Sequence, residues 1–139
     1  MTAVEGLGLE LNVSAARFLD GLADGLLLIP RCDACGTHRS PWVLECPADY
    51  RHATVWREAG DEITLWSWAT YWHCYPISRS LAVPYTVAQV LLVGGIRLNG
   101  QLMQADPKSL QQGIPLLFDP IRDRGRVYPA FRPRRVALE

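Results

Sequence analysis

The sequence predicts a mainly β protein in which an N-terminal helix and a zinc-ribbon-like module precede a five-stranded OB-fold barrel. Three observations predict it. A C-x2-C pair, Cys32 and Cys35, is followed by Cys46 and Asp49 at the same spacing. Five strand-like segments follow from residue 62, with a short helix code between the third and the fourth. Ahead of both, Phe18, Leu19 and Leu22 fall at one-face helical spacing. The predicted divisions are residues 1–30 for the leader and helix, 31–58 for the ribbon-like module and 59–135 for the barrel.

The 139 residues suit one ordinary domain or two very small modules. Hydrophobic content is 49% and charged content 20%, enough apolar mass for a core in a soluble chain. No apolar run approaches the roughly 20 residues of a membrane helix. The start, MTAVEGLGLELNV, lacks a basic segment followed by an apolar one, which predicts no secretory signal and a cytoplasmic protein. In a reducing compartment, cysteines at this spacing point to metal rather than to disulfides.

Residues 1–12 read as a loose leader. Ser14 is placed to cap the helix and Gly25 to stop it. LLLIPRC reads as a strand that delivers Cys32. Pro41 and Pro47 argue against helix in the module that follows. ITLWSWATYW alternates as a strand, with Ile63, Leu65, Ser67, Ala69 and Tyr71 on one face and Thr64, Trp66, Trp68, Thr70 and Trp72 on the other. A long connection, HCYPISRSLAVP, leads to YTVAQVLLV and IRLNGQLMQ, two strands around Gly94-Gly95. Gly100 marks a bulge or a sharp bend. In ADPKSLQQG, Asp106 caps, Pro107 opens and Gly113 ends a compact helix. IPLLFDP and VYPAFRP supply the last two strands. No internal repeat or low-complexity tract is present.

A C-x2-C knuckle brings two thiolates onto one ion at about 2.3 Å, and two knuckles complete a tetrahedral zinc ribbon. The second knuckle here is Cys46-Pro47-Ala48-Asp49, so a carboxylate stands where a fourth thiolate would. Zinc accepts oxygen ligands, and His52 and His38 are reserve donors. The candidate metal set is therefore Cys32, Cys35, Cys46 and Asp49, with a structural role. A ribbon held by packing, with no ion, is the alternative. Cys74 reads as a plain thiol beyond the first barrel strand.

An independent catalytic apparatus is not legible. The three histidines form no Ser–His–acid order, and His73 beside Cys74 would point to the opposite strand face. VGGIRLNG fits a hairpin better than a dinucleotide fingerprint, which needs a following helix. Single-stranded nucleic-acid binding is the alternative function for a ribbon joined to an OB barrel with a tryptophan row. Zero net charge and a single lysine, Lys108, argue against the strong positive field such a groove needs.

Taken in order, FLDGLADGLLLIPRCDACG, SPWVLECPAD, LWSWATYW, VPYTVAQVLLVGGIRLNGQL, DPKSLQQGIPLLFDP and YPAFRP resemble a family of acyl-CoA-associated proteins, long catalogued as a domain of unknown function. Its members join an N-terminal helix, a rubredoxin-like zinc ribbon and a C-terminal OB fold. The resemblance runs from about Phe18 to Pro133. It implies a non-catalytic accessory subunit beside a thiolase-like enzyme, a lipid-transfer-type aldolase or a hydratase. The OB module would help hold the CoA thioester and the ribbon would dock the partner. Asp49 departs from the family's fuller pattern, which has a fourth cysteine. The acyl group, whether fatty, steroid-derived or polyketide, is not named by the sequence.

A CoA thioester needs arginine for its phosphates and an aromatic wall for its adenine. Arg79, in the long connection, is a candidate, with Trp72 and Tyr85 flanking it. Arg132 and Arg134, with Arg135, crowd the C-terminal end. Trp66 and Trp68 are assigned to barrel packing. Phe18, Leu22, Trp42 and Val43 form either a docking face or part of the core.

Overall fold

A computed structural model of the chain describes residues 13–43, 45–72 and 84–134. It divides into two compact units, residues 1–59 with 93–96, and residues 60–92 with 97–139.

In the first unit, α1 (Val13–Ala23) buries Phe18 and Leu22 at 2% and 1% exposure while Leu19 faces outward. Ser14 falls within the first helical turn rather than ahead of it. The helix stops at Gly25, whose φ is +78. Gly25 N donates to Leu22 O and Leu26 N to Gly21 O, the paired bonds that close a helix through a left-handed residue. Strand β1 (Leu28–Cys32) then pairs antiparallel with β2 (Thr54–Glu58), from Leu28 opposite Glu58 to Cys32 opposite Thr54. The sequence reading missed β2, because ATVWRE is too short to show a period. Between β1 and β2 lies the cysteine module. Arg39 is buried there; its Nε donates to Val43 O at 3.1 Å and its Nη2 to Thr54 Oγ1. These bonds tie the loop carrying Trp42 to β2. Trp42 meets Phe18 edge-on at 5.3 Å and is 51% exposed.

The second unit is the barrel. Its main sheet runs β3-β4-β5-β9-β6, formed by Thr64–Tyr71, Tyr85–Leu91, Arg97–Leu102, Ala130–Pro133 and Leu116–Phe118. Strands β5 and β9 are parallel and the other neighbours antiparallel. The ends of this order are joined. Leu65 N donates to Ile114 O at 3.0 Å, Gly113 N to Leu65 O at 2.7 Å, and Leu116 N to Ile63 O at 2.8 Å. Closure of a five-stranded sheet with that crossover is the OB arrangement.

The interior holds Leu65, Val90, Leu98, Ala88, Leu116, Ala130 and Phe131, all buried. Gly100 is a point of close approach: a Cβ there would lie 2.6 Å from the Phe131 ring and 2.9 Å from Pro129 O. The strict alternation expected of β3 fails at one residue. A bulge between Leu65 and Ser67 shifts the phase, so Leu65 opposite Val90 and Trp68 opposite Ala88 point to the same face. The expectation that Trp66 and Trp68 pack inside the barrel changes. They are 38% and 36% exposed, Trp66 with the Arg97 guanidinium 5.3 Å from its ring centre.

Two further expectations change. The segment after Asp106 makes one 3-10 turn, Pro107–Ser109, rather than a helix to residue 113; Asp106 does cap it, accepting from Lys108 N. The β6–β9 connection contains an unexpected hairpin, β7 (Ile121–Asp123) and β8 (Arg126–Tyr128).

Candidate metal centre

Strand β1 ends at Cys32, so the sheet itself delivers the first sulfur. The chain then makes the same loop twice. Gly36 N donates to Cys32 O at 2.9 Å, and Cys32 N donates to Thr37 O at 2.9 Å. Fourteen positions on, Tyr50 N donates to Cys46 O at 2.8 Å, and Cys46 N to Arg51 O at 2.9 Å. The residue after each C-x2-C or C-x2-D pair is left-handed, Gly36 at φ +77 and Tyr50 at +61. Asp49 therefore occupies in the second loop the place of Cys35 in the first.

The four side chains converge. One ligand atom each from Cys32, Cys35, Cys46 and Asp49 lies within 4.8 Å of every other. The Cys35 and Cys46 sulfurs are 3.5 Å apart, and Cys32 Sγ is 3.7 and 3.6 Å from the two Asp49 oxygens. Zn–S bonds of about 2.3 Å in a tetrahedron place sulfurs about 3.8 Å apart, so this donor set fits a zinc-sized ion. Such an ion would cross-link the two loops. Cys32 and Cys46 are buried and Cys35 is exposed.

The surrounding groups set the charges. Asp49 Oδ1 accepts from Arg51 N at 3.0 Å, and that bond is the main reason its carboxyl titrates below the usual range. Thr37, with its hydroxyl 3.1 Å from Cys35 Sγ, lowers the Cys35 thiol. Burial raises the Cys46 thiol, against the opposing pull of backbone N–H groups such as that of Ala48 at 3.4 Å. Thr37, Ala48 and Arg51 were missed in the sequence. The signal was available, because a knuckle loop directs backbone N–H groups at its ligands.

The other expected site residues are placed as follows. His52 lies 3.7 Å from Glu45, and neither His52 nor His38 belongs to the group of four. His38 pairs across to Arg31 and sits beneath Gly94, where a Cβ would come within 2.6 Å of the imidazole. Arg79 and Cys74 lie outside the described residues, as does Arg135. Trp72 is 68% exposed at the end of β3. Tyr85 stacks on Tyr71 with ring centres 5.2 Å apart. Arg132 Nε donates to Asp119 at 3.2 Å, and Arg134 Nη2 to Asp61 O at 3.1 Å. Among the described residues, the structure brings Cys32, Cys35, Cys46 and Asp49 together.

No protein-family model matches the chain. The chain is 31% identical over 126 residues to a probable enoyl-CoA hydratase alpha subunit of Thermomonospora curvata. That match covers 88% of this chain and 38% of the relative, so the chain spans well under half of that protein's length. Among solved structures, the chain resembles one described as Ltp2-ChsH2(DUF35) aldolase. The TM-score is 0.79 and identity 29%, over 90% of this chain and 98% of that one. A DUF35 protein of unknown function from Sulfolobus solfataricus shares the fold, with a TM-score of 0.62 and 16% identity over 94% of this chain and 93% of its own. No described helix is long and apolar enough to cross a membrane. The chain has the DUF35 fold and resembles that family over nearly its whole length, with an N-terminal helix and a cysteine ribbon ahead of an OB barrel.

Proposed function

We propose that the chain is a non-catalytic accessory subunit of an acyl-CoA-processing complex, helping to hold the CoA thioester and docking the catalytic partner. The observation that carries this reading is the match along 98% of a chain in an aldolase assembly, together with the match to part of a hydratase subunit. The partner class is a thiolase-like, aldolase or hydratase subunit, and the setting is lipid or steroid side-chain metabolism. The partner supplies the nucleophile and the acid/base groups, while this subunit completes the thioester site and limits water entry. Zinc held by Cys32, Cys35, Cys46 and Asp49 is structural, fixing the two loops of the ribbon. The division of the chain at about residue 59 separates docking from ligand binding.

The docking element is the ribbon loop at Trp42 and Val43. Phe18 and Leu22 belong to the core, whereas Trp42 and Val43 are 51% and 43% exposed. An exposed tryptophan on a braced loop suits an interface anchor.

The test is a pull-down of the tagged chain from its native lysate, with bound proteins identified by mass spectrometry, for wild type and Trp42→Glu. Recovery of a thiolase-like, aldolase or hydratase chain by wild type, and its loss in the variant with the fold intact, is the expected result. A chain that recovers none of these overturns the reading.

A further inference from the structure

The three sulfurs of the ribbon cluster are not equivalent. Cys35 is exposed, whereas Cys32 and Cys46 are buried. Cys32 Sγ faces the carboxylate and donates to it, 3.7 and 3.6 Å from the two Asp49 oxygens. Cys35 Sγ faces another sulfur, 3.5 Å from Cys46 Sγ. The cluster thus divides into a thiol–carboxylate pair and a thiol–thiol pair. The second is a pair that a two-electron oxidant can join.

A disulfide holds its sulfurs at about 2.05 Å, so closure from 3.5 Å asks for about 1.5 Å of movement, which rotation of the exposed Cys35 side chain supplies. The bond would span the same gap as an ion. Cys35 lies in the first loop and Cys46 opens the second, so joining them ties one loop to the other. A Cys32–Cys35 bond would stay within one loop. Exposure also orders the two sulfurs. Cys35 is the one a small oxidant reaches, and Cys46, buried beside it, is placed to resolve the product.

We propose that Cys35 and Cys46 are an oxidative modification site: when no ion is bound, a hydroperoxide converts them to a disulfide that takes over the ion's cross-link. The Cys35 sulfur attacks a peroxide oxygen, the O–O bond breaks, and a sulfenic acid forms as an alcohol, or water from hydrogen peroxide, leaves. The Cys46 sulfur then attacks the Cys35 sulfur, the S–O bond breaks, and water departs with the Cys46 proton. Two thiols and one hydrogen peroxide give one disulfide and two waters; the sulfurs lose two electrons and the peroxide gains them. Cys32 keeps its thiol because Asp49, not a fourth sulfur, faces it. An ion on the four donors would occupy the same sulfurs and block the reaction. The proposal rests on the zinc reading for that competitor and not for the bond itself.

Peptide mapping by mass spectrometry tests this on the full chain, after chelator treatment and exposure to hydrogen peroxide with and without added zinc. The expected main product of the metal-free chain is a Cys35–Cys46 link, reversed by dithiothreitol and suppressed roughly tenfold or more by zinc. Cys32→Ser forms the same link and Cys35→Ser does not. The oxidised metal-free chain unfolds at least about 5 °C above the reduced one. A main product linking Cys32 or Cys74, or sulfinic acid at Cys35 with no link, overturns the site. An oxidised chain that unfolds no later than the reduced one overturns the cross-link. If the Cys35–Cys46 link forms equally with and without zinc, the zinc reading falls and the modification site stands.

Discussion

Tyr50 holds the backbone conformation of Gly36. Each follows the last donor of its loop, each is left-handed, and each N–H closes onto the carbonyl of the loop's first cysteine. Glycine takes this conformation freely; tyrosine does not. The second loop has therefore kept the knuckle's backbone although its last donor is a carboxylate and its hinge residue carries a side chain.

Replacing Tyr50 separates the backbone cost from side-chain packing, because the ring is 73% exposed. Tyr50→Gly is expected to raise stability by about 0.5 kcal/mol, the relief of the left-handed strain less the added entropy of the unfolded chain. Tyr50→Val, β-branched, is expected to lower it by about 1 kcal/mol. Thermal unfolding of the two variants against wild type checks the signs.

The proposed zinc site makes Asp49 its fourth ligand. Asp49→Ala removes one of four donors and is expected to weaken zinc binding by at least tenfold, whereas Asp49→Cys restores a four-thiolate set and tightens it. Competition with a chromophoric chelator measures both. Equal affinities for wild type and Asp49→Ala would remove Asp49 from the ligand set.

The same carboxylate gives the metal-free chain a pH signature. Its folded-state pKa is depressed, chiefly by the Arg51 N–H bond. The stabilisation is thus present above the unfolded carboxyl pKa and lost as pH falls through the folded value. In chelator-treated protein, wild type is expected to exceed Asp49→Asn in unfolding temperature near neutrality, and the gap is expected to close in acid. A gap independent of pH would contradict the assignment.

Gly100 lies against the Phe131 ring inside the barrel. Gly100→Val drives a branched side chain toward a ring and a carbonyl that a Cβ alone already meets at 2.6 and 2.9 Å. The expected cost is about 3 kcal/mol, at the upper end of overpacking effects. Urea unfolding of the variant measures it.

The sequence made much of this architecture legible where one signal dominates. The cysteine spacing picked out the four residues that converge, and the one-face spacing of Phe18 and Leu22 located the buried side of the helix, although Leu19, expected on that side, turns outward. Five barrel strands and their order were readable from alternation and turn residues. The phase of β3 was not, because a bulge at Trp66 is a local choice that long-range pairing makes. Strand β2 and the hairpin of β7 and β8 were too short for any period to show. Gly100 was marked as unusual, but its reason, the Phe131 ring thirty-one positions away, is a tertiary contact. The CoA candidates follow from residue type and place along the chain, which do not give side-chain partners. The structure shows Arg132 bonded to Asp119 and Arg134 to the Asp61 carbonyl, partners no local pattern announces.

The most direct test of the central claim is turnover of an acyl-CoA substrate by the complex recovered with the tagged chain, compared with each separated component. The account predicts activity in the complex, none in this chain alone, and reduced activity in the partner alone that returns when the chain is added back. Turnover at an ordinary enzymatic rate by this chain alone would contradict it.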